Sequence, residues 1–230
     1  FASAQIVSSQ ASVDPEHVRA NLVLVIDSGP VFYLGDIHIE GLERYDQSMI
    51  RNLAPFKTGD AYRREALQLY QIALQKAPQF GTVSVTISTD IAGHASTPVQ
   101  VSVTEAQSQR FAFGAGYSSN NGGRGEINYR NHNFLDRAWN LTSMLRLEQK
   151  RQTFFAGIDT LPDRKNVFYS LGASLQMTDI ENLKTVEQKV GLSRNFQTTD
   201  TQMQLGLNWQ REDKQPDGAI HQINDALTLD

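Results

Sequence analysis

The sequence predicts two successive architectures: an α+β unit of β-α-α-β-β order over residues 31–107, then an all-β antiparallel meander over residues 108–230. Three observations carry this expectation. Helical periodicity is confined to residues 46–77, where Leu67, Tyr70, Leu74 and Ala77 fall on one face. Stretches of strand length flank it on both sides. From Arg110 onward one pattern repeats, about ten residues alternating apolar with polar or small and then turn residues, with no helical period between repeats.

Composition narrows the class. The chain has 230 residues, 40% of them hydrophobic, and a mean hydropathy of -0.40. The longest apolar run, Leu22-Val23-Leu24-Val25-Ile26, is of strand length and far short of the ~20 residues a spanning helix needs. Low hydropathy does not argue against a transmembrane barrel, in which every second residue faces lipid. The net charge of -4 is spread along the chain and no basic stripe invites nucleic acid. Cysteine is absent, so disulfides and thiolate metal sites are excluded. Phe1-Ala2-Ser3-Ala4 has neither the basic region nor the apolar core of a signal peptide, so a mature or excised fragment is expected.

Residues 1–30 read as a short strand near Ala4-Gln5-Ile6-Val7, a polar turn, and a strand over 21–27 ended by Ser28-Gly29-Pro30. Two strands alone make a marginal fold, so they are expected to be the closing hairpin of a preceding domain. In the α+β unit, a strand over 32–40 places Ile37 and Ile39 opposite His38, and Gly41 follows it. Asp46 is expected to cap a short helix carrying Ile50 and Leu53. Pro55 and Gly59 break the chain, and Asp60 is expected to cap the longer helix that Pro78 stops. Strands over 80–89 and 99–103, joined by a hairpin loop over 90–98, close the unit. Val83, Val85 and Ile87 share one face of the first.

The meander follows in seven segments. Phe111, Phe113, Ala115 and Tyr117 open it; Ile127 and Tyr129 form the second. Trp139, Leu141, Leu145 and Leu147 form the third, with a local swap at Ser143 and Met144; Phe154, Ala156 and Ile158 form the fourth. Residues 167–175, 186–192 and 203–209 supply three more, and an eighth begins near His221. Asn120-Asn121-Gly122-Gly123, Leu161-Pro162-Asp163 and Gln215-Pro216-Asp217-Gly218 are turn sequences. Alternation alone fits both a membrane barrel and a soluble β-sandwich. A polar face rich in Gln, Asn, Glu, Arg, Lys and Gly, an apolar face nearly free of charge, and aromatics near strand ends (Phe111, Tyr117, Trp139, Trp209) favour the barrel.

Enzyme chemistry finds no constellation. The five histidines, His17, His38, His94, His132 and His221, are scattered without ligand spacing, and neither a Gly-x-Ser-x-Gly elbow nor a P-loop occurs. Gly114, Gly116 and Gly122-Gly123-Arg124-Gly125 precede no helix that would bind a phosphate, and read as strand glycines. No catalytic residue, metal or cofactor is expected.

The segment Gly29-Pro30-Val31-Phe32-Tyr33-Leu34-Gly35-Asp36-Ile37-His38-Ile39-Glu40-Gly41 resembles the opening of a polypeptide-transport-associated (POTRA) domain, and Phe56-Lys57-Thr58-Gly59-Asp60-Ala61-Tyr62 resembles the break between its helices. Asn128-Tyr129-Arg130-Asn131-His132-Asn133-Phe134-Leu135-Asp136-Arg137-Ala138-Trp139 resembles the second barrel hairpin of the outer-membrane protein assembly superfamily, where a Gly commonly stands at the position of Asp136. Within that superfamily the sequence looks most like the outer-membrane subunit of the translocation and assembly module. The resemblance implies a last POTRA domain (31–107), preceded by the hairpin of another (1–30) and followed by the first seven to eight strands of an incomplete barrel (108–230). It implies an outer-membrane location with the POTRA part in the periplasm. The implied partners are unfolded outer-membrane or autotransporter clients, an inner-membrane-anchored subunit and outer-membrane lipid. Clients would add by main-chain pairing at two edges. One is the POTRA strand with Phe80, Thr82, Val83, Ser84, Val85, Thr86 and Ile87. The other is the barrel seam with Arg110, Phe111, Phe113, Gly114, Gly116 and Tyr117. A two-partner secretion transporter of one dedicated substrate, and a soluble periplasmic sandwich, are the alternatives.

Overall fold

The computed structural model describes residues 5–29, 31–87, 96–119, 122–163, 165–180, 183–198, 201–218 and 220–230. The chain divides into two compact units, residues 1–105 and 106–230. The first begins with β1 (Gln5–Asp14) and β2 (Arg19–Asp27), a two-stranded antiparallel sheet whose register slips once between Ile6 and Ser8. β1 is longer than its sequence suggests, because the polar residues after Val7 still find ladder partners on β2. Both strands are exposed along their described lengths, including Leu22, Val23 and Ile26.

The α+β unit has the expected order: β3 (Tyr33–Glu40), α1 (Ser48–Asn52), α2 (Arg64–Gln75), β4 (Phe80–Ile87) and β5 (Ser96–Glu105). β5 lies in the middle, parallel to β3 and antiparallel to β4. The parallel pairing follows from the helical crossover, since a parallel strand cannot be reached by a tight turn. The turn at Gly41 has φ +79, and a Cβ there would collide with the Val103 carbonyl oxygen, so the close approach of the chain to β5 requires glycine.

Apolar periodicity builds the core as expected. Leu67, Tyr70 and Leu74 of α2 are buried, as are Val83 and Val85 of β4 and Val99, Val101 and Val103 of β5. The Tyr70 hydroxyl donates to the Ile50 carbonyl at 2.9 Å, joining α2 to α1, and its ring meets Phe56 edge-on at 5.4 Å.

Three local expectations change. Asp46 does accept a hydrogen bond from the Ser48 N–H at 2.7 Å, but Gln47 occupies the cap position. Asp60 does not cap α2, which starts at Arg64 after an extended Arg63. Its carboxylate instead takes the Lys57 N–H at 2.8 Å, and its carbonyl takes the Leu34 N–H at 2.8 Å. The interhelix segment is thereby spent on the edge of β3. Residues 96–98, read as loop, belong to β5, while the rest of that loop and the end of the 80–89 strand lie outside the described residues.

The second unit is one eight-stranded antiparallel sheet in strict chain order. Its strands are β6 (Gln109–Ser118), β7 (Gly122–Phe134), β8 (Trp139–Glu148), β9 (Arg151–Asp159), β10 (Val167–Ile180), β11 (Leu183–Gln197), β12 (Gln202–Pro216) and β13 (Gln222–Leu229). All seven predicted segments and the eighth are present. Each strand pairs with its neighbours in sequence, so the sheet is a single up-and-down meander. Asp163 shapes the β9–β10 turn by accepting the N–H groups of Lys165 and Val167 at 2.8 and 2.9 Å. Part of the 120–123 turn lies outside the described residues.

Candidate functional site

The α+β unit presents two sheet edges, and its sequence treats them differently. Along β3 the outer edge is covered near its start: Tyr62 N–H donates to Phe32 at 2.7 Å, Gly59 N–H to Leu34 at 2.7 Å, and Tyr33 bridges Ala61. Along β4 the outer edge has no such cover among the described residues, and α2 packs on its inner face. Val83 and Val85 are therefore buried while Thr82, Ser84 and Thr86 are exposed, small and polar. All seven residues expected at this edge, Phe80, Thr82, Val83, Ser84, Val85, Thr86 and Ile87, lie on β4. Such an edge leaves main-chain donors and acceptors available to another strand.

A carboxylate absent from the sequence reading ties this unit together. Glu105, the last residue of β5, accepts the N–H groups of Glu43 and Arg44, both at 2.8 Å, and pairs with the Arg44 guanidinium at 2.6 Å. Burial pushes its pKa up, but these donors outweigh burial and hold it below the usual glutamate value. Tyr45 beside it packs edge-on against Phe80 at 6.3 Å and is buried, its hydroxyl without a hydrogen-bond partner among the described residues.

In the large sheet, register assigns every side chain to a face. One unbroken row runs Phe111, Tyr129, Ser143, Ala156, Ala173, Val190, Trp209, Leu227. Ser143 thus lies on the apolar face and Met144 on the polar one, which explains the local swap in β8. The apolar face is open to solvent, Phe113 at 76% and Tyr117 at 83% exposure. The polar face carries ion pairs and hydrogen bonds, Arg146–Glu126 at 2.8 Å, Lys189–Glu187 at 2.7 Å and Gln210–Glu187 at 2.9 Å. A trough of about 480 Å³ opens on that face, lined by Phe155, Gly172, Gly191, Lys189, Asn208 and Gln210 among others. The sheet therefore has one polar, hydrogen-bonded face and one apolar face, the two-sided alternation that barrel strands show.

Small residues leave room for larger neighbours on the polar face. A Cβ on Gly157 would meet the Phe155 ring at 2.9 Å, and one on Gly191 would collide with the Asn208 side chain. Phe155, which the alternation pattern does not account for, lies across Gly157 and Gly172 on the polar face.

The apolar band also drifts across the rows. On β6 it runs from Phe111 toward Tyr117; on β12 it runs from Trp209 the other way, toward Met203. Its centre moves by about six residues over six strand steps, which at ~3.3 Å per residue and ~4.8 Å per strand is a slope of about 35°. Strands tilted by that angle bring the band level. Beyond it on β12 the same face turns to Arg211 and Asp213. Arg194 on β11 is the charge inside the band among the described residues.

The expected seam residues Arg110, Phe111, Phe113, Gly114, Gly116 and Tyr117 all lie on β6, an outer strand of this sheet. A Cβ on Gly114 would stand 3.7 Å from that of Glu126, and one on Gly116 would stand 3.6 Å from the Arg124 guanidinium, both ordinary contacts. Neither glycine has positive φ. Sterics therefore do not demand glycine here.

The turn after β7 holds Leu135, Asp136 and Ala138 at φ 58, 54 and 55. Asn133 organises it: its side-chain oxygen accepts the Ala138 N–H at 3.0 Å and its amide donates to Asp136 at 3.2 Å. Position 136 is left-handed, which glycine adopts freely, and Asp136 is held there by Asn133.

Residues 32–106 match the family model described as POTRA, surface antigen variable number repeat. These residues are a POTRA domain. Around it, the fold of BamA from Haemophilus ducreyi, in a crystal structure lacking POTRA domains 1–3, matches with a TM-score of 0.74 and 15% identity, over 99% of this chain and 48% of that one. CdiB from Acinetobacter baumannii matches with a TM-score of 0.62 and 14% identity, over 97% and 46%. The chain thus shares the fold of these two solved structures, a POTRA-matching unit followed by a long antiparallel meander. It spans about half the length of these solved relatives. No curated protein is similar enough in sequence to be named as a relative.

Proposed function

We propose that this chain is the client-handling part of an outer-membrane protein assembly or translocation factor. β-Rich clients add by main-chain pairing at the open edge of β4 and at the β6 seam. The observation that carries the reading is the presence in one chain of an uncovered POTRA edge and an eight-stranded meander with one apolar and one polar face. Residues 31–107 act as the POTRA domain in the periplasm, residues 1–30 close a preceding one, and residues 108–230 are the first strands of a barrel in the outer membrane. Lipid covers the apolar face. Unfolded outer-membrane or autotransporter chains occupy the edges, and an inner-membrane-anchored subunit delivers them. Gly114 and Gly116 weaken β6 where no steric need for glycine exists, which suits a seam that opens.

The test is site-specific photo-cross-linking from Ser84 and Thr86 on β4 and from Ala112 on β6, in cells exporting outer-membrane proteins. Client adducts at these positions and none from Leu67 on the buried face of α2 are expected. Adducts equally distributed over both faces would sink strand addition. Export of one dedicated substrate would appear as a single adduct in place of many.

A further inference from the structure

We propose that Arg110 selects the strand that adds to β6, by favouring an Asp or Glu directly opposite it; this rests on strand addition at β6 as proposed above. The polar face of β6 presents Arg110, Ala112, Gly114, Gly116 and Ser118, set opposite Arg130, Asn128, Glu126, Arg124 and Gly122 of β7. Four of these five β6 residues have side chains too short to meet a neighbour across the edge. Arg110 is the one that reaches.

Its inner neighbour is of the wrong sign. Arg110 and Arg130 are directly opposite, an arrangement that destabilises a sheet. Among the described residues neither forms an ion pair, and the nearest carboxylate along that face of β7, Glu126, is engaged by Arg146 at 2.8 Å and Asn128 at 2.7 Å. Repulsion from Arg130 favours placing the Arg110 guanidinium toward the open edge. Every neighbouring pair in this sheet is antiparallel, so an added strand continuing the pattern sets one residue directly opposite Arg110. A carboxylate there pairs with Arg110 and offsets the charge shared with Arg130. On the other face Phe111, Phe113 and Tyr117 ask only for apolar partners. The preferred partner is therefore an alternating strand with one acid at a fixed register.

The chain contains no cysteine, so a single Ala112→Cys in the full chain, in detergent, reports register cleanly. Three synthetic alternating peptides carry Asp, Ala or Lys at the test position, and Cys at the position that meets residue 112 when the test residue meets Arg110. Disulfide formation is expected to favour Asp over Ala by about five-fold, with Lys poorest, and to weaken with salt. Arg110→Glu, which gains a pair with Arg130, is expected to reverse the order, and Arg110→Gln to level it. Equal cross-linking of all three peptides in all three backgrounds would overturn the charge selection and leave strand addition standing. No peptide disulfide at all, or peptide-independent disulfide dimers of the chain, would overturn both.

Discussion

Glu105 gathers three donors at the end of the central POTRA strand, and acid should release them. Its folded pKa is depressed, so its stabilisation is fully present above the ordinary glutamate value of about 4.3 and is lost as pH falls through the folded value. Amide exchange in β3 and β5 is expected to accelerate as pH drops below that range, after correction for intrinsic rates. Glu105→Gln is expected to cost about 1–2 kcal/mol at pH 7, part of the charged contribution being screened at the exposed Arg44, and to flatten the acid dependence. An unaltered pH profile in the variant would mean that the clamp contributes nothing. Asn133→Ala removes both side-chain bonds that hold Asp136 and Ala138 left-handed, at a cost of about 1–3 kcal/mol. Asp136→Gly should be tolerated, since glycine adopts that φ without help. Both are read from the denaturant midpoint of the sheet's tryptophan fluorescence, and a neutral Asn133→Ala would remove the role given to that side chain.

Among elements, β6 is where sequence and structure meet most usefully. Replacing Gly114 and Gly116 with Val adds side chains where ordinary contact distances await them and raises strand propensity. The double variant is expected to fold, to exchange the β6 amides more slowly, and to slow client insertion; unchanged insertion kinetics would remove the seam argument. Alternation made β6 through β13 legible in advance, because each strand has one apolar face, and the POTRA helix was legible from Leu67, Tyr70 and Leu74. What local pattern could not reveal depends on partners distant in sequence. Asp60 looks like a helix cap until the edge of β3 claims its carbonyl. Glu105 looks like any strand-end acid until the 43–44 backbone arrives beside it. Arg110 and Arg130 become a pair only once register is known, and Phe155 breaks the alternation because the glycines of β9 and β10 make room for it on the polar face.

At the scale of the whole sheet, the drift of the apolar band is what tilted strands of the proposed membrane barrel require, and it can be tested directly. Phe111 and Trp209 share a register row, so in an untilted sheet they would stand at one height. With strands inclined by about 35°, Phe111 sits at one margin of the apolar band and Trp209 at the opposite margin. Single cysteines at the two positions, in the protein reconstituted into vesicles, are therefore expected to label from opposite sides of the bilayer with a membrane-impermeant reagent. Cysteines at Leu145 and Ala173, nearer the middle of the band, should resist it from both sides. Labelling of Phe111→Cys and Trp209→Cys from the same side would mean that the rows lie parallel to the membrane plane. Full labelling of all four without lipid contact would return the meander to a soluble sheet and take the seam with it.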